Sequence, residues 1–325
     1  MQGFTHPLWM LLLLAAPPEW AVVHSINLGL LCTAGAIVAA MWLFSACERP
    51  LLGMSTFCLG FFSSRSALEW STSGLENSLS HASIALLIAL VLRPDALPRR
   101  QWWFALAFGA LLLNRVDQLL LALPLVGLAA WRALRTSPGG LRGTVAFCRI
   151  IAIGMLPLIA WLAFAAFYYG FPLPNTSYAK LGGATRADAL LAGLLYLRDF
   201  ARYEPFHAGV IAIALFIPWI ARLDPPRRAA AACVALGILL QLGYVLGVGG
   251  DYMRGRFLTS SLFASALLIG FVLAAARSRV PIGAGGRADS GSAGAVPMDG
   301  RSDTDDGTLH ARAAGWRRLA PMGAR

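Results

Sequence analysis

Long apolar runs broken by short arginine-bearing segments constrain this chain more than any other feature. Nine such runs follow one another, over residues 22–46, 51–63, 78–92, 102–113, 116–134, 150–169, 206–221, 229–248 and 257–276. A helix crossing a hydrocarbon layer of about 30 Å needs about 20 residues at about 1.5 Å each. The runs lack the period-two alternation of a transmembrane barrel strand. The expected fold class is therefore all-α, a polytopic transmembrane helical bundle of nine spans occupying 22–277, with outer loops forming a cavity. Runs 51–63 and 102–113 are short for a full crossing and are expected to stop at membrane depth, inside protein or against a wet cavity. Composition agrees, because only 13% of residues are charged, against about 25% in soluble domains.

The formal charge of +11, from 27 basic and 16 acidic residues, would raise the question of nucleic acid in a soluble protein. Topology accounts for it better, and no nucleic-acid partner is expected. Alternating across the membrane from an outside N-terminus places thirteen basic residues inside, among them Arg49, Arg93, Arg99, Arg100, Arg132 and Arg227, and eight outside over much longer loops. That is the positive-inside distribution of a protein in the inner, cytoplasmic membrane, in contact with its lipids. Trp20, Trp102, Trp103, Trp131 and Trp219 fit interfacial belts, whereas Trp161 is mid-run and expected to pack. The run from Asp188 to Arg202 has apolar residues at helical spacing between charges and predicts a helix lying on the outer surface. Residues 278–325 are rich in Gly, Ala, Ser and Asp and are expected to form a disordered cytoplasmic tail. Five cysteines without a CxxC spacing or nearby paired histidines indicate neither disulfides nor zinc.

The mixed-charge sequences gather in the outside loops. They are GFTHPLW near Met1, EWSTSGLEN at 69–77, NRVD at 114–117, YYGFPLPNTSYAKLGG at 168–183 and GGDYMRGR at 249–256. Helices that deliver carboxylates, cations and hydroxyls to one membrane face can build a wet cavity for a charged lipid head group. Each cluster also has a structural reading. Ser73 and Glu76 form a capping box, S-x-x-E, at the start of the 78–92 helix. Asp251 after two glycines can cap the last helix. Arg115 and Asp117 can be a structural ion pair near membrane depth, where an unpaired charge costs several kcal/mol. Asn175, Thr176, Ser177 and Tyr178 follow an extended, proline-bearing crossing and offer groups suited to a sugar. Lys180, the only lysine in the chain, is either a phosphate contact or an interfacial anchor. Arg254 and Arg256 are two apart and do not share a face, so one can meet ligand while the other faces lipid head groups. His6, His24, His81 and His207 are scattered and read as packing or interface, His6 least securely because it sits in an outside cluster.

Taken together these motifs resemble the GT-C membrane glycosyltransferases that use polyprenyl-phosphate sugars. They are most similar to the terminal arabinofuranosyltransferases of actinobacterial cell walls and related proteins annotated with flagellar motor control. The residues that carry the resemblance are T-S-G-L-E at Thr72 to Glu76, Arg115 with Asp117, Tyr168 to Lys180, and G-G-D-x-M-x-G-R at Gly249 to Arg256, in the same order and on the same face. It implies inverting transfer of a sugar, arabinofuranose in the leading case, from a polyprenyl-phosphate donor to an extracytoplasmic glycan. On that footing Arg256, Arg115, Lys180 and Arg254 are the candidates for the donor phosphate. Glu76, Asp117, Asp251, Asn175 and Tyr178 are the candidates for sugar or acceptor.

The chain also departs from the family pattern. The family opens with a helix and a loop carrying the acidic base; here residues 1–21 resemble only the later part of that loop with an interfacial helix, so the base is expected upstream of Met1 and the chain is expected to be N-terminally shortened. Val116 stands where proline is expected, and Asp117 where glutamate is usual. A low-complexity tail replaces the soluble extracytoplasmic domain. The outer carboxylates leave room for a divalent cation, but no ligand spacing argues for one, and no other cofactor is implied. The alternative reading is a non-catalytic membrane protein of the same fold that binds glycolipid or assists envelope or flagellar motor function. A transporter is a weaker third, since the charges gather at one face rather than mid-membrane.

Overall fold

The computed structural model describes residues 5–93, 96–136, 140–175, 178 and 185–276. Among these the chain is helical throughout, with no strand. The helices are α1 (Pro7–Leu13), α2 (Ala21–Phe44), α3 (Pro50–Phe62), α4 (Arg65–Thr72), α5 (Asn77–Leu92), α6 (Gln101–Asn114), α7 (Leu119–Thr136), α8 (Leu141–Gly154), α9 (Leu156–Tyr169), α10 (Arg186–Tyr203), α11 (Pro205–Ile220), α12 (Pro225–Gly247) and α13 (Thr259–Ala275). Prolines open several of them, at Pro7, Pro50, Pro205 and Pro225. There the missing N–H is no loss and the fixed φ suits the first helical turn.

The core is built around α13 and α5. Both are apolar on all sides, as a helix enclosed by other helices must be, and 83% of the most apolar stretch of α13 is buried. The long α2 contributes only 22% of its stretch to the interior and turns the rest outward. Helices in lipid gain little from apolar burial and associate by close packing of small residues. Gly53 of α3 is such a residue: a Cβ there would sit 2.8 Å from both Ala274 of α13 and Phe44 of α2. Phe57, Phe61 and Phe263 then interlock edge to face, with centroids 5.0–5.3 Å apart for the pairs with Phe263.

Among the described residues four helical segments are long and apolar enough to cross a membrane: 18–44, 116–135, 225–247 and 256–275. Up to seven crossings result if each bent pair counts as one, so the expected nine are not reached by length and composition alone. The expected short runs are the helices α3 and α6. The pairs α4–α5 and α10–α11 bend by 110° and 115°, so α4 and α10 lie across the direction of the helices that follow them. A helix does form where one is expected at 188–202, as α10. Thr185 caps α10 by accepting from the Asp188 amide at 3.2 Å. The proposed tail lies outside the described residues.

The two ends of the bundle differ in chemistry. At the end where α5 starts, carboxylates, amides and guanidiniums converge. At the other end arginines cover helix C-termini: Arg93 Nη1 donates to Trp42 O and Arg132 Nη1 to Val91 O, both at 2.5 Å, where the helix dipole favours a cation.

Candidate functional site

Glu76 lies at the centre of the polar end. It occupies the N-cap position of α5 but makes no side-chain capping bond, and Ser73 ends α4 instead. The capping box expected from sequence is therefore not formed. The carboxylate is fully buried, and Oε1 accepts from Arg256 Nη2 at 2.8 Å while lying 3.6 Å from Arg115 Nη1 and 3.2 Å from His6 Nε2. A buried carboxylate on its own would neutralise rather than stay charged. Two guanidiniums converging on one oxygen reverse that balance.

Arg115 is buried and almost fully paired. Its Nε and Nη2 donate to the two oxygens of Asp117 at 3.1 and 2.7 Å, and Nη1 donates to Asn77 Oδ1 at 2.9 Å. The guanidinium lies 5.1 Å from the centre of the Phe257 ring. The break between α6 and α7 makes this geometry. Arg115 is extended at φ −147°, and the short 3-10 turn Val116–Gln118 brings Asp117 back toward it. Gln118 and Gln241 also donate to Asp117 Oδ2, at 3.3 and 3.4 Å. Asn114 reaches Glu76 O and Ser80 Oγ at 3.0 and 2.9 Å, so that α5 and α6 are stitched together beneath the ion cluster.

Arg256 arrives from the loop 248–256, whose turns need left-handed backbone. Gly250 (φ 75°) and Gly255 (φ 69°) supply it, and a side chain at either would also collide, at 2.6 Å with the Tyr196 ring and at 2.3 Å with Ser66 Oγ. Tyr196 on α10 holds the same loop from below: its hydroxyl donates to Met253 O at 3.2 Å and accepts from the Phe257 amide at 3.1 Å. Asp251 does not cap α13, which starts at Thr259. Its carboxylate accepts from the Tyr252 amide at 2.9 Å and lies 3.8 Å from Arg256 Nη1.

His6 completes the cluster from the chain's N-terminal side. Its Nδ1 lies 3.1 Å from Asn114 O, a partner that can only accept, so Nδ1 carries the proton. Nε2 then accepts from Arg256 Nη2 at 3.2 Å. Burial, with Arg115 and Arg256 acting in the same sense against Glu76, holds the imidazole below its ordinary pKa range and therefore neutral. Burial alone would push the Glu76 carboxyl up, yet Arg115, Arg256 and the Arg256 hydrogen bond hold it below the usual value. Trp9 Nε1 donates to Gly74 O at 3.0 Å and fixes α1 over the α4–α5 corner.

Of the residues singled out in the sequence, Arg256, Arg115, Glu76, Asp117 and Asp251 come together here. Arg254 does not join them: Nε donates to Asp199 Oδ2 at 2.8 Å on the exposed surface, with the guanidinium 3.8 Å from the Tyr203 ring. Tyr178 packs on Phe171, ring centres 5.5 Å apart, and Asn175 is half-buried after α9; neither contacts the cluster. Lys180, like Thr176 and Ser177, lies outside the described residues. The sequence reading placed His6, Asn77 and Asn114 in the outside clusters without giving them a role in the site, and it passed over Gln241. Gln241 had a usable signal, since an amide in the middle of an apolar run requires a partner. Several buried atoms of the cluster, including Glu76 Oε2, Arg256 Nε and Asn77 Nδ2, have no hydrogen-bond partner among the described residues. A ligand hydroxyl can donate to Glu76 Oε2, and a hydroxyl or phosphate oxygen can accept from Arg256 Nε and Asn77 Nδ2. Among the described residues no three His, Cys, Asp or Glu side chains gather as a metal site.

Comparison with known proteins adds one relative. The chain is 28% identical over 243 residues to the terminal beta-(1->2)-arabinofuranosyltransferase of Mycobacterium tuberculosis (strain ATCC 25618 / H37Rv), a match that covers 63% of this chain and 36% of that protein. The chain thus spans about a third of the length of the curated relative it matches. No protein-family model matches it, and no solved structure does. The likeness supports a glycosyltransferase relationship in general terms.

Proposed function

We propose that this chain is a GT-C-type membrane glycosyltransferase that moves a sugar, arabinofuranose in the leading case, from a polyprenyl phosphate to a glycan outside the inner membrane. The observation that carries the reading is the buried gathering of Arg256 and Arg115 around Glu76, at one end of a helical bundle, by segments 180 residues apart in sequence. In the transfer, the acceptor oxygen bonds to the anomeric carbon as the bond to the phosphate oxygen breaks, and the lipid phosphate departs with the electron pair. Arg256, through its unpartnered Nε, is the cation placed to receive that charge, and Arg115 backs it while remaining tied to Asp117. Glu76 keeps both guanidiniums in place between turnovers. The acceptor proton needs a base. Glu76 and Asp117 are engaged by arginines, so the reading requires another carboxylate as that base.

That engagement also favours a second reading, a protein of the same architecture that binds a polyprenyl-phosphate glycolipid without transferring its sugar. One experiment separates the two. Membranes containing the chain are given a radiolabelled polyprenyl-phosphate arabinofuranose and a synthetic arabinan acceptor, and both bound lipid and lengthened glycan are measured. Transfer that disappears in Arg256→Gln supports the enzyme. Binding without transfer supports the second reading, and absence of both removes the site from either account.

A further inference from the structure

Two adjoining cavities lie away from the Glu76 cluster, at the far end of α5. That helix has 16 residues and so separates the two ends by about 24 Å. The first cavity, of about 290 Å³, is lined by four arginines, Arg93, Arg99, Arg100 and Arg227, together with Trp42 and Phe271. It is near the lower size limit of ligand pockets, about 300 Å³. Arg93 and Arg100 both stack on the Trp42 ring, 4.4 and 4.7 Å from its centre. Arg227 has a carboxylate partner in Asp224 at 3.5 Å. Among the described residues no carboxylate pairs with Arg93, Arg99 or Arg100. Among the described residues the basin therefore gathers more positive charge than their carboxylates neutralise, and a phosphate monoanion or dianion is the complement.

The second cavity, of about 420 Å³, shares Trp42 and Arg100 with the first and runs from them along α2, α5 and α6. Its walls are apolar, including Val38, Leu86 and Trp103, and its floor is opened by Gly35, above which no atom lies within 4 Å of where a Cβ would stand. Val38 and Trp103 are 64% and 58% exposed on the outer wall of the bundle. A cationic basin at a helix end, continuous through one tryptophan with an apolar groove on the flank, matches a phosphorylated head group joined to a hydrocarbon tail.

We infer that this groove and basin bind one anionic phospholipid, its phosphate among Arg93, Arg99 and Arg100 and an acyl chain against Gly35, Val38 and Trp103. The inference is independent of sugar transfer, since the site shares no residue with the Glu76 cluster. It is also distinct from the diffuse attraction of any basic membrane face for anionic lipid, because it requires particular arginines and a particular groove.

The test uses the full chain purified in detergent, titrated with phosphatidylglycerol or phosphatidylcholine and read by native mass spectrometry and by the thermal unfolding midpoint. The expected result is one phosphatidylglycerol retained about tenfold or more tightly than phosphatidylcholine, with a raised midpoint. Arg99→Gln with Arg100→Gln, both exposed positions, abolishes the preference. Arg135→Gln with Arg142→Gln removes the same charge elsewhere and leaves it intact. Gly35→Leu, which fills the groove without changing charge, weakens retention as well. Equal loss in the two double variants overturns the site in favour of diffuse attraction. A midpoint raised as much by inorganic phosphate as by phosphatidylglycerol, or full retention in Gly35→Leu, overturns the lipid assignment.

Discussion

Arg256 Nη2 donates to Glu76 Oε1 at 2.8 Å across a sequence separation of 180 residues, and the same carboxylate oxygen faces Arg115. Three chain segments that are individually unremarkable in hydropathy thus share one buried charge balance. Removing one member of such a group unbalances the buried charges that remain, which is costlier than removing a complementary pair.

A double-mutant cycle reads that balance. Glu76→Gln and Arg256→Gln are each expected to cost about 3–5 kcal/mol of stability, because each removes one partner of a buried ion pair. The double variant is expected to cost less than the sum by about 1–3 kcal/mol. Thermal or denaturant unfolding of the detergent-solubilised chain measures all four species, and strictly additive losses refute the coupling.

Arg254 and Arg256 make a paired comparison. Arg256 is in the cluster, whereas Arg254 forms an exposed pair with Asp199, of a kind that contributes little because solvent screens it. Under the proposed function, Arg256→Gln lowers transfer about 100- to 1000-fold, as loss of a preorganised charge partner does, and Arg254→Gln stays within about fivefold. Initial rates with a fixed lipid-linked donor decide it; comparable losses in both variants remove the special role of Arg256.

Much of the bundle is legible in the apolar runs, because lipid imposes helices and length alone then marks them. The sharp bends before α5 and α11 are not, since hydropathy does not report direction. The choice between Arg254 and Arg256 is likewise hidden in sequence: the left-handed turn at Gly255 and the Tyr196 hydroxyl send one outward and one inward. Glu76 shows the limit of local patterns. S-x-x-E reads as a capping box until residues from 115 and 256 arrive with guanidiniums, and long-range charge then outweighs a cap worth about 1 kcal/mol. The role of His6 emerges only from its partners Asn114 O and Arg256, and that of Asn114 only from His6, Glu76 O and Ser80.

Close helix contacts give a prediction independent of the site. A Cβ on Gly237 of α12 would lie 2.2 Å from Leu121 O on α7, a backbone atom that cannot step aside. Gly237→Ala is expected to cost about 1–3 kcal/mol by forcing the two helices apart. Gly209 on α11 has nothing within 4 Å of that position, so Gly209→Ala is expected to be neutral or to gain up to about 1 kcal/mol from helix propensity. Unfolding midpoints in the same detergent test the contrast; a neutral Gly237→Ala would mean that α7 and α12 are not held in this contact.

Acid sensitivity follows from His6 and Glu76 in two stages. In the unfolded chain the imidazole takes up its proton near its ordinary value of 6.5, whereas in the folded protein burial beside Arg115 and Arg256 delays uptake to lower pH. Between those values the unfolded state binds more protons, so stability is complete above about pH 6.5 and falls as pH drops through that window. Glu76 behaves in the same sense further down: its folded value lies below the ordinary 4.5, so its contribution is present above that pH and lost below it. The unfolding midpoint of the wild-type chain is therefore expected to decline from about pH 7 to about pH 5 and then more steeply. His6→Gln keeps a hydrogen-bonding side chain but cannot be protonated, so it should flatten the first decline and leave the second. An unchanged slope in His6→Gln between those two pH values would show that the imidazole is not held neutral by the arginine cluster.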